Sequence, residues 1–231
     1  PDEYGYTVIV PGFGFLRDVF PDPYIVNWRL TRIGAVSDGM PGITVPYEAF
    51  PGSIGVLPGE PEIKKWKARE AELASAGGVA LTPSPGGALP KKICGAMSKY
   101  KDDCLRTIPP RENGGNMDVQ QQQIGTKIIF PCFIDGCGLF AGDIHYAQGD
   151  GEVSGTAIEM GSVVTVRVKI LPFKGEDMDM PVTVGNDQII DMEPTRYYQT
   201  LGIPLKANGE IPPSHAYLDS EKLLNLANVS E

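Results

Sequence analysis

Two segments of this chain crowd polar side chains where a strand or a turn would not need them. One is Arg111-Glu112-Asn113-Gly114-Gly115-Asn116-Met117-Asp118, and the other runs from Gly142 through Asp143, His145, Gln148 and Asp150 to Glu152, with Glu159 close behind. If Leu139 to Ala147 is a strand, the side-chain period of two puts Asp143 and His145 on one face. A carboxylate beside an imidazole is half of a site for zinc or a similar divalent ion, which takes nitrogen and oxygen ligands together. Asn116 and Asp118 offer a second pair if the backbone there is extended. Asp118, Asp143 and His145 are therefore the candidate metal ligands, and Glu152, Glu159 and Gln148 the candidate catalytic groups. Gly115, Asn116 and Asp150 are candidates for contact with substrate or an oxyanion, since the Gly114-Gly115 and Gly149–Gly151 turns let backbone N–H groups approach a ligand closely. The plainer reading of Asp-x-His is a surface pair and of Asp-Gly-Glu a hairpin turn. Their occurrence together, around one of only two histidines, favours a site.

The elements that must position these residues are short. Tyr6 to Val10, Gly42 to Val45, Thr126 to Ile134, Leu139 to Ala147, Val153 to Met160 and Ser162 to Leu171 read as strands. The last has the cleanest alternation, with Val164, Val166, Val168 and Ile170 against Thr165, Arg167 and Lys169. Glu62 to Ser75 is the clearest helix, with Ile63, Trp66, Glu70 and Leu73 roughly along one side, Pro61 at its start and Gly77-Gly78 at its stop. Shorter helices are expected over Lys99 to Arg106 and Ser220 to Val229. Pro41-Gly42, Pro51-Gly52 and Pro58-Gly59 mark turns, and 172–187 reads as a hairpin or surface loop. The expected class is α+β, mainly β: many short strands in a sandwich- or barrel-like sheet arrangement with a few helices.

Other motifs fail on inspection. Tyr6 to Val10 runs into Gly12-Phe13-Gly14, but the third glycine of a dinucleotide fingerprint falls at Arg17. The Pro/Gly/Ser-rich stretch 80–92 ends in Lys91-Lys92 without the Gly-Lys-Ser/Thr of a phosphate loop. His215, in Pro-Pro-Ser-His, reads as an ordinary surface residue. Trp66 suits a core better than a binding site, while Phe13, Phe15, Tyr24 and Trp28 suit a pocket wall and a core equally well.

Twenty basic against twenty-nine acidic side chains, a net charge of −9, argue against nucleic acid or an anionic membrane as the partner. No uninterrupted apolar run is long enough for a membrane span. Cys94, Cys104, Cys132 and Cys137 form no C-x-x-C pair, and no secretory signal is visible, so reduced, buried thiols in a cytoplasmic protein are expected. The chain opens on Pro1 in an apolar run and stops in a helical pattern at Leu223-Leu224-Asn225-Leu226. Both ends read as cut, around a single domain over 1–231.

At this point a resemblance enters. Gly142-Asp-Ile-His-Tyr-Ala-Gln-Gly-Asp-Gly-Glu152, continuing to Ala157-Ile158-Glu159, resembles the signature of the acetamidase/formamidase family. Pro110-Arg-Glu-Asn-Gly-Gly-Asn-Met-Asp118 is similar to a second block, and Tyr6 to Phe20 and Phe50-Pro51-Gly52-Ser53-Ile54-Gly55 to further stretches. The resemblance implies hydrolysis of a small amide such as formamide or acetamide to carboxylate and ammonia, a divalent metal, a β-rich fold and homo-oligomers. It also implies N- and C-terminal segments beyond this chain that could supply ligands. Amide hydrolysis suits the residue set, because a cation polarises a poor electrophile and a carboxylate can relay water's proton to the leaving nitrogen. A larger amide or lactam is an alternative within the same chemistry. Outside it stands a β-rich domain holding a structural cation such as calcium.

Overall fold

The computed structural model describes residues 3–11, 20–75, 91–95, 97–101, 103–152, 154–172 and 178–185. Among them are ten strands: β1 (Tyr4–Ile9), β2 (Tyr24–Leu30), β3 (Ala35–Val36), β4 (Thr44–Val45), β5 (Phe50–Gly55), β6 (Gly114–Asn116), β7 (Lys127–Ile129), β8 (Phe140–His145), β9 (Glu159–Met160) and β10 (Val182–Val184). Two helices join them, α1 (Glu60–Ser75) and α2 (Lys91–Cys94). Eight strands form one antiparallel sheet in the order β4-β3-β2-β1-β9-β8-β5-β6, and β10 pairs with β7 in a separate ribbon. The class is α+β and mainly β, as expected.

The sheet order explains how distant sequence blocks meet. β8 lies between β9 and β5, so His145 faces Glu159 on one side and Phe50 on the other. β6 pairs with the far edge of β5, which brings Asn116 opposite Ser53. A buried cluster of Trp28, Leu30, Ala35, Tyr146, Ala147, Ile158 and Met160 supports the β2–β1–β9–β8 region. Its polar tips are satisfied: the Trp28 indole N–H donates to Thr7 Oγ1 at 3.1 Å, and the Tyr146 hydroxyl to the Thr31 carbonyl at 2.6 Å.

Helix α1 begins two residues before its expected start, at Glu60, with Pro61 in its first turn. Its inward side carries Trp66, fully buried and edge-on to Phe133 at 5.8 Å. Glu70 on the same helix accepts from Arg106 Nε and Arg111 Nε at 2.9 and 2.8 Å. Arg69 grips Glu112 with two hydrogen bonds of 2.9 Å. Burial would raise the Glu112 carboxyl, but the hydrogen bonds and charge of Arg69, together with a backbone hydrogen bond, outweigh it and hold the group at about 2. These pairs fasten α1 to the 106–112 stretch that leads into β6. Truncating Trp66 to alanine leaves a cavity under α1 and should destabilise the protein by about 3–5 kcal/mol, read as a lower denaturant midpoint.

Several expectations need correction. Pro51-Gly52, expected as a turn, lies inside strand β5. Thr126 to Ile134 is a ladder strand only at Lys127–Ile129. Lys99 to Arg106 forms turns rather than a helix. Val153 to Met160 is a ladder strand only at Glu159–Met160, because 149–155 is spent on tight turns. Ser162 to Leu171, the best alternating stretch, joins no ladder among the described residues, and its side chains are exposed. Alternation shows that a segment can be a strand, not that a partner stands beside it. Finally, the cysteines are not free thiols, since Cys94 pairs with Cys104 and Cys132 with Cys137. The Gly12–Gly14 turn, most of the 80–92 loop, His215 and the 220–229 helix lie outside the described residues. No helix among the described residues is long and apolar enough to cross a membrane.

Candidate metal centre and active site

His145 is the fixed point of the site. It ends β8, is fully buried, and lies edge-on to the Phe50 ring with centroids 5.2 Å apart. Its Nδ1 sits 2.8 Å from Gln148 Oε1, while Gln148 Nε2 donates to the Asp118 carbonyl at 3.1 Å. With the amide so oriented, its oxygen accepts from the imidazole, so Nδ1 carries a proton. That leaves Nε2 facing inward. It is buried and makes no hydrogen bond, yet carboxylate oxygens of Asp143 and Glu159 stand 3.4 Å away and Glu152 Oε1 3.9 Å away.

Each carboxylate arrives from a different element. Asp143 is in β8 but at φ 54, left-handed backbone inside a strand whose register with β5 runs unbroken on either side. Glu159 stands across the ladder from His145, and one of its oxygens accepts from the Ala157 N–H at 3.1 Å. Glu152 enters from the 149–155 turns at φ 42. Asp118 follows β6 at φ 50, where the N–H groups of Met117 and Asp118 both donate to the Gly52 carbonyl. Left-handed backbone is uncommon at non-glycine residues, and three of its four occurrences among the described residues are Asp118, Asp143 and Glu152. Strain concentrated on one cluster is a mark of function.

The electrostatics express the crowding. Burial, with the charges of Asp143 and Glu159, raises Asp118 to about 6 despite the opposing pull of His145. Burial and the charge of Asp118 raise Glu152 to about 8. Asp143 is held low, chiefly by its contact with His145. Burial would lower His145, but Asp143 and Glu159 outweigh it and raise the imidazole to about 10. Without a cation the cluster thus retains protons where positive charge is wanted. Two sets, Asp118/Asp143/His145 and His145/Glu152/Glu159, each bring one ligand atom per residue within 4.8 Å of the others. An inward imidazole nitrogen that makes no hydrogen bond, set among carboxylates, fits a divalent ion.

The structure therefore gathers Asp118, Asp143, His145, Gln148, Glu152 and Glu159. Asn116 is adjacent, but its amide is engaged at both ends, accepting from Ser53 Oγ at 2.8 Å and donating to the Ile108 carbonyl at 3.1 Å. Gly115, at φ 98, lies in β6 opposite Ile54. Asp150 stands apart, exposed and bonded to Gln120 Nε2. Asn113 points away, donating to the Val56 carbonyl at 2.7 Å. Two residues of the site escaped sequence reasoning. A Cβ at Gly52 would lie 2.7 Å from His145 Cε1 and 2.8 Å from the Asp143 carbonyl, and Ser53 Oγ reaches Asp143 Oδ2 at 3.3 Å. Their only signal was the glycine-flanked block Phe50–Gly55.

Residues 1–226 match the family described as Acetamidase/Formamidase. The chain belongs to that family. It is 35% identical over 180 residues to the acetamidase of Mycolicibacterium smegmatis, an alignment covering 74% of this chain and 44% of the relative. It is 32% identical over 167 residues to the formamidase of Methylophilus methylotrophus, covering 69% and 41%. A gamma lactamase from Delftia acidovorans shares its structure with a TM-score of 0.66 and 28% identity, over 90% of this chain and 53% of that one. The chain thus spans about half the length of the curated relatives it matches.

Proposed function

We propose that this family member hydrolyses a small aliphatic amide, formamide or acetamide, to the carboxylate and ammonia at a divalent cation. The observation that carries the reading is the buried Nε2 of His145, without a hydrogen bond and facing the carboxylates of Asp143, Glu152 and Glu159. Asp118, Asp143 and His145 would hold the cation. The imidazole favours zinc over calcium, which prefers oxygen ligands alone. When bound, the cation supplies Lewis acidity, polarising the amide carbonyl and making water a stronger nucleophile.

The chain's own groups do the rest. Gln148 holds the His145 tautomer. Glu152, with Glu159 as the other candidate, takes a proton from water as the oxygen attacks the carbonyl carbon. It returns that proton to nitrogen as the C–N bond breaks and ammonia leaves. The Gly115 and Gly149–Gly151 backbone N–H groups, with Asn116 and Asp150, are the candidates for steadying the oxyanion.

A larger amide or lactam is the second reading. It is favoured by a cleft of about 610 Å³ walled by Leu57, Ile63, Ile134 and Phe140 and reaching Asp143. A purely structural cation is disfavoured by the same opening, since structural sites are closed by protein. Assembly as a homo-oligomer belongs to the proposal, with segments of the kind the longer relatives carry contributing to the site. So does a cytoplasmic location, although two disulfides weigh against a strongly reducing compartment.

Ammonia release from formamide and acetamide is expected to fall to background after chelation and to return with zinc. A metal-loaded, full-length protein that is silent on both substrates sinks the small-amide reading; turnover of lactams alone selects the second.

A further inference from the structure

We propose that Ser53 is a positioning residue that sets the direction of the Asp143 carboxylate, and with it the affinity of the site for its cation. The inference rests on the cation reading above and adds a residue that reading does not use.

Asp143 is the least confined of the clustered groups. Its side chain is 36% exposed, against 1% for His145, 16% for Glu152 and 15% for Glu159. Its backbone, at φ 54, departs from the regular strand on either side. An unrestrained aspartate at such a place rotates about its side-chain bonds, and a cation that recruits it must overcome that lost freedom. Ser53 supplies the restraint. Its hydroxyl donates to Asp143 Oδ2 at 3.3 Å, while Oδ1 is the oxygen that faces His145 Nε2 at 3.4 Å. One carboxylate oxygen is thus tied to protein and the other is turned inward.

Ser53 is itself well placed. In the β5 ladders it is opposite Gly142 on one side and Asn116 on the other. Its hydroxyl hydrogen is shared with Asn116 Oδ1 at 2.8 Å. The Asn116 amide cannot turn over without losing the bond from Nδ2 to the Ile108 carbonyl. The stretch bearing Ile108 is clamped by Arg111, whose Nη1 donates to the carbonyls of Arg106 and Pro109 at 3.0 and 3.2 Å. Glu70 on α1 then receives Arg111 Nε at 2.8 Å. Hydrogen bonds joined through the 106–111 backbone therefore connect a buried ion pair to one oxygen of Asp143. Partners of this kind, which orient a ligand without touching the metal, are worth about 10–100-fold in affinity.

The test is calorimetric titration of zinc into the metal-free chain, comparing wild type, Ser53→Ala and Ser53→Thr, with the melting temperature of each metal-free form. Ser53→Ala should weaken binding about tenfold or more at an unchanged melting temperature, and Ser53→Thr, which keeps the hydroxyl, should bind within about threefold of wild type. Equal affinity for Ser53→Ala and wild type overturns the inference and leaves the cation reading standing. Equal weakening of both variants also overturns it, since the hydroxyl would then not be the cause. A wild-type chain that binds none of zinc, manganese and calcium sinks the cation reading, and this inference with it.

Discussion

Replacing Gly52 with alanine is expected to lower both cation affinity and ammonia release by about 100-fold or more, the scale of loss that a displacement near 1 Å causes at a reacting centre. The added Cβ would stand 2.7 Å from His145 Cε1, 2.8 Å from Nε2 and 2.8 Å from the Asp143 carbonyl oxygen. All are well inside ordinary contact, so something must move. The imidazole has little room, being fully buried, edge-on to Phe50 and tied through Nδ1 to Gln148. The Asp143 carbonyl is backbone, held between the ladder pairs Pro51–Ile144 and Ser53–Gly142. Gly52 cannot retreat either, because its own carbonyl accepts from the N–H groups of Met117 and Asp118. One methyl therefore pushes on two candidate ligands and loosens the anchor of a third. Gly142→Ala is the matched comparison, since a Cβ there meets nothing within 4 Å, and it should bind zinc as wild type does. If Gly52→Ala binds zinc with wild-type affinity, the imidazole does not lie against β5 as described.

That glycine marks the boundary of what sequence reasoning could reach. Asp143 and His145 were legible because residue type and a two-residue spacing already state a chemistry, whatever the surrounding fold. The two side chains do meet, 3.4 Å apart, but φ 54 at Asp143 means that left-handed backbone within an unbroken register, not regular alternation, aims the carboxylate. Asp118 was named on the condition of an extended backbone, which it does not have; the Gly52 carbonyl turns the chain there instead. Gly52 and Ser53 do their work across ladders to residues far along the chain, so no local pattern displays them. The same limit governs the strands. A short apolar run located β1, but no local pattern could say that β9 is two residues long or that Ser162 to Leu171 lacks a ladder partner among the described residues. The disulfides were missed for a related reason, since proximity of Cys94 to Cys104 and of Cys132 to Cys137 belongs to the turns between them and not to a spacing motif.

The metal-free and metal-loaded proteins should respond to pH with opposite signs. In the metal-free form Glu152 is raised to about 8 and Asp118 to about 6, so between the usual carboxylate range near 4 and those values the folded state binds protons that the unfolded state has released. Stability then falls as pH rises through that window. His145, raised to about 10, extends the same slope above pH 6.5, the ordinary value for imidazole. Glu112, at about 2, and Asp143 have the opposite sign, but their contribution is complete once pH exceeds the usual carboxylate range. The melting temperature of the chelated protein should therefore decline steadily from about pH 5 to about pH 8. A divalent cation reverses the demand, because it binds ionised carboxylates and a neutral imidazole and must displace the retained protons. Zinc affinity should rise over the same interval, and the gap between loaded and chelated melting temperatures should widen. Titrations in buffers of different ionisation enthalpy should also show net proton release on binding. Replacing Glu152 with glutamine removes the titrating group that is raised to about 8, so the decline in the chelated protein should become shallower. A chelated wild type that grows more stable from pH 5 to pH 8, or zinc binding without proton release, would mean that these carboxylates do not crowd one another as described.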